Sequence, residues 1–420
     1  MGKGTTNWIT QKLRIYPNKQ QKSLFTKCLN GHRYFYNKAN EYIKKIGKII
    51  RLPSLRKEVL KSDKDLEEKE LWQSEIPYDT RQLAINQLIT SYKSSLTLKQ
   101  LGYIEKGFDV KFLKKKSTKQ IFHVNKDAVK ITDKGTIAIF PTRLKKQKFI
   151  RLRKRDRQKL KSMYKIDNDV IIQRLSCRKW YIFIPKEVVV KPQKEFPFNS
   201  AFLDPGVRTF QTYYSPEGVC GKLGDSFCKE NVVPLLKKHD SLQSNGRDHR
   251  KRALLINKVK NLIDSLRQQT TNFLCKNFRN IFISDFKVKQ MVSKYKKISS
   301  KVSRSMLNLS HYKFKEFLKY YGKKNGNNIQ IVNESWTSKT CGRCGTIKWD
   351  LGSKKVFNCS KCNLTIDRDF HAARNICLKT INGSVVRGPN SPKNKVVLSV
   401  KLLPDGRINP VKIIRTIGYL

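Results

Sequence analysis

The sequence runs to 420 residues, with 89 lysines and arginines against 32 aspartates and glutamates, a formal charge of +57 and a pI near 10.1. A self-repelling excess of that size suits a protein that normally lies against a polyanion, and 38% hydrophobic content in periodic segments argues against a disordered basic tail. No apolar run reaches the length of a membrane span and MGKGTTNWIT has no signal-peptide core, so nucleic acid is expected ahead of an anionic membrane. Six of ten cysteines are scattered, which suits a reducing, intracellular setting, the nucleus if the host is eukaryotic.

Residues 8–16, WITQKLRIY, alternate like a strand and stop at Pro17. The next segment, NKQQKSLFTKCLNGHRYFYNKANEYIKKIG, places Leu24, Cys28 and Leu29 at helical spacing. IPYDT then offers Asp79 or Thr80 as the cap of a helical block that is apolar at Leu83, Ile85, Leu88, Ile89 and Tyr92. From 108 to 191 the texture changes to short strands, FDVKFL, QIFHV, AVKIT, TIAIF, DVIIQRLS and KWYIFIPKEVVV, separated by basic runs. This reads as a small β-barrel interrupted by a helical insertion.

A second unit begins after KPQKEFPFNS. AFLDPGVRTFQTYYSPEG reads as strand, tight turn, strand, turn. A helix over about 250–277 carries Leu255, Val259, Leu262, Leu266 and Phe273 on one face. NIFISDF is a short buried strand, a basic helix ends near Lys324, and NIQIVNE is a further strand. Beyond Cys377, NGSVVRGPNSPKNK reads as a linker followed by one or two strands.

Cys341 and Cys344, then Cys359 and Cys362, give C-x2-C, fourteen intervening residues, C-x2-C. Two such pairs close a tetrahedron of thiolates around one structural zinc, with no ligand position left open. Gly342 and Gly345 suit the tight knuckle turns. The alternatives are four free thiols or two disulfides.

Four other residues carry carboxylates at element ends. Asp204 closes an apolar strand directly before Pro205, a place where aspartate is commonly a turn former. In IDRDFHAARNI, Asp367 and Asp369 open a helix, where an acid is commonly an N-cap. Glu334 closes the run IVNE just ahead of the first knuckle. The turn-and-cap reading accounts for each site alone more easily than for both aspartates flanking one basic α/β unit.

FLDPGVRTF, TSKTCGRCG, FNCSKC and DRDFHAARNI, in this order and spacing, resemble TnpB and its relatives. RIYPNKQQ, GHRYFYNKA, IPYDTRQLAI and KWYIFIP extend the resemblance over about residues 10–377, and DPGVRTFQTYYSPEG and PYDTR are most similar to the Fanzor branch of eukaryotes and viruses. The resemblance implies a multidomain α/β fold: a wedge-like β-barrel in 1–16 and 100–195, a helical recognition insertion in 17–99, an RNase H-like RuvC domain in 196–336 and 367–380, a zinc ribbon in 337–366 and a tail in 381–420. It implies an endonuclease guided by a transposon-encoded, omega-type RNA. Such a protein reads a short motif flanking double-stranded target DNA and hydrolyses phosphodiesters at a single site. One protein copy per ribonucleoprotein, two Mg2+ ions (or Mn2+) and one structural Zn2+ are expected.

The family's first acid falls on Asp204 and its last on Asp369, leaving Asp367 as cap or support. Its remaining acid falls on Ser284, which is no such ligand. Asp285 should point to the opposite face of the strand from Ser284. Glu334 ends the strand expected beside it, about 4.8 Å away, and Fanzor relatives are similar in placing their glutamate before the zinc knuckle. Asp204, Glu334 and Asp369 are therefore the expected catalytic acids and Mg2+ ligands. Ser284 keeps a second reading in view, an RNA-guided DNA-binding protein that does not cleave. A third is a basic zinc-ribbon RNA-binding protein, which leaves the Asp204–Asp369 pair unexplained. The runs KFLKKKSTK, RLKKQKFIRLRKRDRQKLK and KYKKISSKVSR are expected to meet phosphates.

Overall fold

The computed structural model describes residues 5–104, 107–161, 166–190, 195–244, 246, 248–286, 288–292, 298–352, 354–382, 396–402 and 408–414. The expected linker, past Asn382, and all of KYKK in the third basic run lie outside them. The chain divides into two compact units, residues 6–188 and residues 1–5 with 189–420. Among the described residues no helix is long and apolar enough to cross a membrane.

The first unit contains β1 (Thr5–Tyr16), α1 (Lys19–Ile46), α2 (Leu52–Val59), α3 (Tyr78–Gln100), β2 (Lys119–Val124), β3 (Val129–Ile131), β4 (Ile137–Ile139), α4 (Pro141–Leu144), β5 (Phe149–Leu152), α5 (Lys154–Leu160), β6 (Val170–Leu175) and β7 (Trp180–Val190). Its sheet has the order β2-β6-β7-β1-β5-β4-β3. Only residues 125–128 join the two edge strands, so the sheet curls around a core that includes Phe122, Val124, Val129, Ile137 and Ile182. Among the described residues no ladder joins β2 to β3, so the expected closed barrel is instead a curled open sheet. A short helical turn over Lys126–Ala128, capped by Asn125, leads the chain off the line of β2, and three-residue β3 offers little to pair with.

Two local expectations fail here for physical reasons. FDVKFL is not a strand, because helix α1 takes its backbone groups instead: Asn40 Nδ2 donates to Val110 O (2.8 Å), and Asn37 both donates to Leu113 O (3.1 Å) and accepts from Leu113 N (2.8 Å). Neither Asp79 nor Thr80 caps α3, which starts a residue earlier, behind Pro77, leaving Asp79 in the first turn, where its charge suits the helix dipole.

The second unit contains β8 (Phe198–Pro205), β9 (Thr209–Tyr214), β10 (Val219–Asp225), α6 (Val233–Ser244), α7 (His249–Asn277), β11 (Phe278–Ser284), α8 (Val288–Met291), α9 (Ser300–Leu309), α10 (His311–Asn325), β12 (Asn328–Val332), β13 (Val356–Asn358), β14 (Thr365–Asp367), α11 (Arg368–Asn382), β15 (Val396–Leu402) and β16 (Ile408–Ile414). The sheet order is β12-β11-β8-β9-β10-β15-β16. β9 runs antiparallel to β8 and β10, whereas β8, β11 and β12 are parallel. Over β8–β12 these are the order and directions expected of an RNase H-like sheet.

Strand alternation gives this sheet two apolar faces. Ala201, Leu203, Ile281 and Ile283 pack with Val259, Ile263 and Leu266 of α7 and Phe314 and Leu318 of α10. Phe202, Phe282 and Val332 face the other way, onto Phe370, Ala373, Ile376 and Cys377 of α11. On that face the rings of Phe202 and Phe282 stack 4.5 Å apart. Burying each such ring stabilises the fold by about 1.5–3 kcal/mol.

Candidate metal centres

The face covered by α11 is the one on which the acids emerge. Leu203 pairs with Ile283, so one residue on Asp204 stands beside Ser284, and Ser284 in turn pairs with Val332. Glu334 lies two residues beyond Val332, at the exit of β12. Asp285 falls on the opposite face, where Lys315 Nζ of α10 lies 2.6 Å from its carboxylate.

Asp204 is half-buried near the end of β8. Burial raises its carboxyl well above the ordinary value, and the charges of Asp369 and Glu334 push it further, against a smaller pull from Arg368. Glu334 is also raised, first by burial and then by the charge of Asp285. The buried Ser284 hydroxyl meets no partner at full hydrogen-bond geometry, yet it faces Glu334 closely enough to draw that carboxyl down.

Asp369 is in the first turn of α11, 3.3 Å from Thr209 Oγ1 and 3.8 Å from Lys222 Nζ. A hydroxyl has one hydrogen to donate, and Thr209 stands closer to Asp225 at 2.7 Å, which leaves Asp369 the weaker partner. Asp367 caps the helix: its Oδ1 accepts from the amides of Asp369 (3.0 Å) and Phe370 (3.3 Å), and its Oδ2 pairs with Lys222 at 2.7 Å. Sequence reasoning overlooked Asp225 and Lys222. The available signal was that β10 ends in an acid, as β8 carries one a residue before its end.

Cys341, Cys344, Cys359 and Cys362 are, among the described residues, the only group of three or more His, Cys, Asp or Glu whose ligand atoms all lie within 4.8 Å of one another. The three acids stand at wider spacing. The Sγ atoms of Cys341 and Cys362 are 3.6 Å apart, those of Cys344 and Cys359 3.5 Å. A disulfide needs about 2.05 Å, whereas a tetrahedron with Zn–S of about 2.3 Å has edges of about 3.8 Å. The sulfurs thus fit a zinc ion. Hydrogen bonding from Thr346 draws the Cys344 thiol down to about 6, and burial pushes Cys341 up to about 12.

The two knuckles repeat one geometry. Gly345 N donates to Cys341 O (2.9 Å) and Asn363 N to Cys359 O (3.0 Å), with both residues left-handed, at φ 77° and 56°. Gly342 has a different role from the turn expected of it: a Cβ there would fall 2.2 Å from Asn375 Oδ1 of α11. The backbone amide of Gly342 donates to His371 Nε2 at 3.1 Å. Burial pushes His371 down to about 3, so the ring is neutral and able to accept.

The first two basic runs lie open. Every lysine of KFLKKKSTK is exposed, and in RLKKQKFIRLRKRDRQKLK the apolar Leu144, Ile150, Leu152 and Leu160 turn inward while nearly all the cations remain outside.

A mixed sheet with acids on one face, crossed by a helix that also bears on a four-cysteine knuckle, defines an α/β protein with a zinc-ribbon-like insertion. The Cas12f1-like TNB domain family matches residues 311–376, and a helix-turn-helix family matches 9–46, where the structure has β1 and the single helix α1. TnpB-like protein L79 of Acanthamoeba polyphaga mimivirus is 30% identical over 398 residues, 87% of this chain and 72% of that one. Putative transposase A625R of Paramecium bursaria Chlorella virus 1 is 29% identical, covering 89% and 87%. The CRISPR-associated endodeoxyribonuclease Cas12f1 of Sulfoacidibacillus thermotolerans is 29% identical over 83 residues, 19% of each chain. Superposition on Cas12f1 in its complex with single-guide RNA and target DNA gives a TM-score of 0.33 at 16% identity over 88% of this chain and 98% of that one. The chain belongs to the TnpB-like family, with TnpB and Fanzor-type proteins.

Proposed function

We propose that this protein is an RNA-guided DNA endonuclease whose one cleavage site is formed by Asp204, Glu334 and Asp369. The observation that carries the reading is that Asp204 and Ser284 stand side by side on the α11 face of the sheet, with Asp369 in the first turn of α11 and Glu334 close enough that burial and the charges of both acids raise the Asp204 carboxyl. Such a site gains from cations, and an all-oxygen donor set suits Mg2+ or Mn2+. When bound, two such ions about 3.5–4 Å apart supply activation of the attacking water and stabilisation of the leaving oxygen. Asp204 would serve both ions, and Glu334 and Asp369 would each hold one. Asp225 holds the Thr209 hydroxyl, and Lys222 is held by Asp367, so neither competes for the Asp204 carboxylate.

The four cysteines hold a structural zinc. The exposed lysines and arginines of residues 6–188 supply the phosphate contacts that position a guide–target duplex, while base pairing supplies the sequence. The guide is an omega-type, transposon-encoded RNA, the target is double-stranded DNA beside a short motif, and one protein copy serves each particle. Ser284 at the family's usual acid position favours one competing reading, guided binding without cleavage. To decide, the full chain is purified with its bound RNA, the RNA is sequenced, and a plasmid carrying the matching target is offered with Mg2+ or Mn2+. Metal-dependent cutting at the matched site is expected. Guided binding without cutting in either metal would leave the binding protein, and RNA bound without any guiding would leave the zinc-ribbon RNA-binding protein.

A further inference from the structure

Helix α11 grips the segment that follows Glu334 along a single stripe. His371, Asn375 and Lys379 recur every four residues and so share one helix face. Lys379 Nζ donates to Ser335 O at 3.0 Å, Asn375 Nδ2 to both Thr337 O and Thr340 O at 2.8 Å, and His371 Nε2 accepts from Gly342 N at 3.1 Å. The partners run backwards along the helix, from 335 to 342 as the helix runs from 379 to 371. His371 and Asn375 have no exposed surface, so each of their bonds is made away from competing water.

Two links continue this strip in opposite directions. Thr337 N and Oγ1 both donate to Glu334 O, at 3.2 and 2.8 Å, which ties the glutamate's backbone to the residue that Asn375 holds. At the other end Asp369 sits two residues before His371, on the same helix. The Cβ-free Gly342 lets the knuckle approach closely enough for this contact.

We infer that α11 is the template that fixes Glu334 relative to Asp369, with Asn375 as its main positioning residue and His371 locking the zinc knuckle to the same strip. The inference rests on the acid site proposed above. Neither residue touches a cation or substrate; they act by holding the turn that carries Glu334. A locked turn presents the glutamate at one spacing, and a released turn lets the carboxylates separate under their own repulsion.

The test is Mn2+ binding to the full chain without nucleic acid, read by electron paramagnetic resonance, for wild type, Asn375→Asp and Asn375→Ser. In Asn375→Asp a carboxylate faces the two carbonyl oxygens that the amide served. Affinity for Mn2+ is expected to weaken by about tenfold or more, the usual effect of losing a support behind a ligand, with zinc still one per chain. Leu318→Val, on the opposite face of the sheet, serves as a destabilised control and should bind Mn2+ as wild type does. Unchanged Mn2+ affinity in Asn375→Asp overturns the inference. If that variant loses its zinc, Asn375→Ser decides in the same way. A wild-type chain that binds Mn2+ but does not cut overturns the proposed nuclease and leaves the template standing; one that binds no Mn2+ overturns both.

Discussion

The four cysteines fall between residues 341 and 362 and their sulfurs already lie within 4.8 Å of one another, whereas the three acids come from positions 204, 334 and 369 and stand further apart. One set is gathered by two short turns that lie close together in the chain. The other exists only because β8, β11 and β12 are parallel neighbours and α11 crosses their face. The contrast separates a site built to be full from one built under electrostatic tension. Thiolates around one ion close a ribbon; an acid raised by burial and by its two neighbours, as Asp204 is, keeps a demand for cations that substrate chemistry can use.

The largest effect expected from breaking that contrast is at Asp204. Asp204→Asn removes the acid proposed to serve both ions, and the loss of several kcal/mol of charge stabilisation should lower cleavage by about 10³-fold or more, measured on plasmid, with guided DNA binding retained. Next comes the zinc. Cys359→Ser, or a chelator strong enough for thiolate zinc, should unfold the ribbon, seen as loss of zinc and new protease sensitivity within 337–366. Removing Mg2+ should leave the same region resistant.

Smaller still is Gly342→Ala. The added Cβ meets the Asn375 amide, and overpacking of this kind costs about 1–3 kcal/mol in thermal unfolding.

The two sites also differ in how pH acts on them. Asp204 and Glu334 both have raised carboxyls. For a raised acid, stability is complete below its unfolded value, about 4, and is lost as pH rises through the folded value. The metal-free chain should therefore melt progressively lower as pH rises from that point, and Mg2+ should raise the melting temperature more at pH 8 than at pH 5.

How much of this was legible beforehand follows the same contrast. The zinc ligands were readable because their spacing is local. Asp204 and Asp369 carried motifs at element ends. Glu334 needed a sheet order, since only the pairing of Ser284 with Val332 brings the end of β12 beside Asp204. Asp225 went unread because its link to the site runs through Thr209, its partner across the ladder. FDVKFL has strand composition yet lies along α1, because asparagine side chains replaced a neighbouring strand as hydrogen-bond partners. The open edge of the first sheet was likewise invisible, since alternation reports which face is buried and not whether the last strand meets the first.

The central claim is that Glu334, not Asp285, completes the acid site. The most direct measurement compares guided plasmid cleavage by wild type, Glu334→Ala and Asp285→Ala at saturating Mg2+. Asp285 is engaged by Lys315 on the far face, an ion pair of about 1 kcal/mol or less, so Asp285→Ala should cut within a few-fold of wild type. Glu334→Ala should not cut. A dead Asp285→Ala beside an active Glu334→Ala would contradict the account.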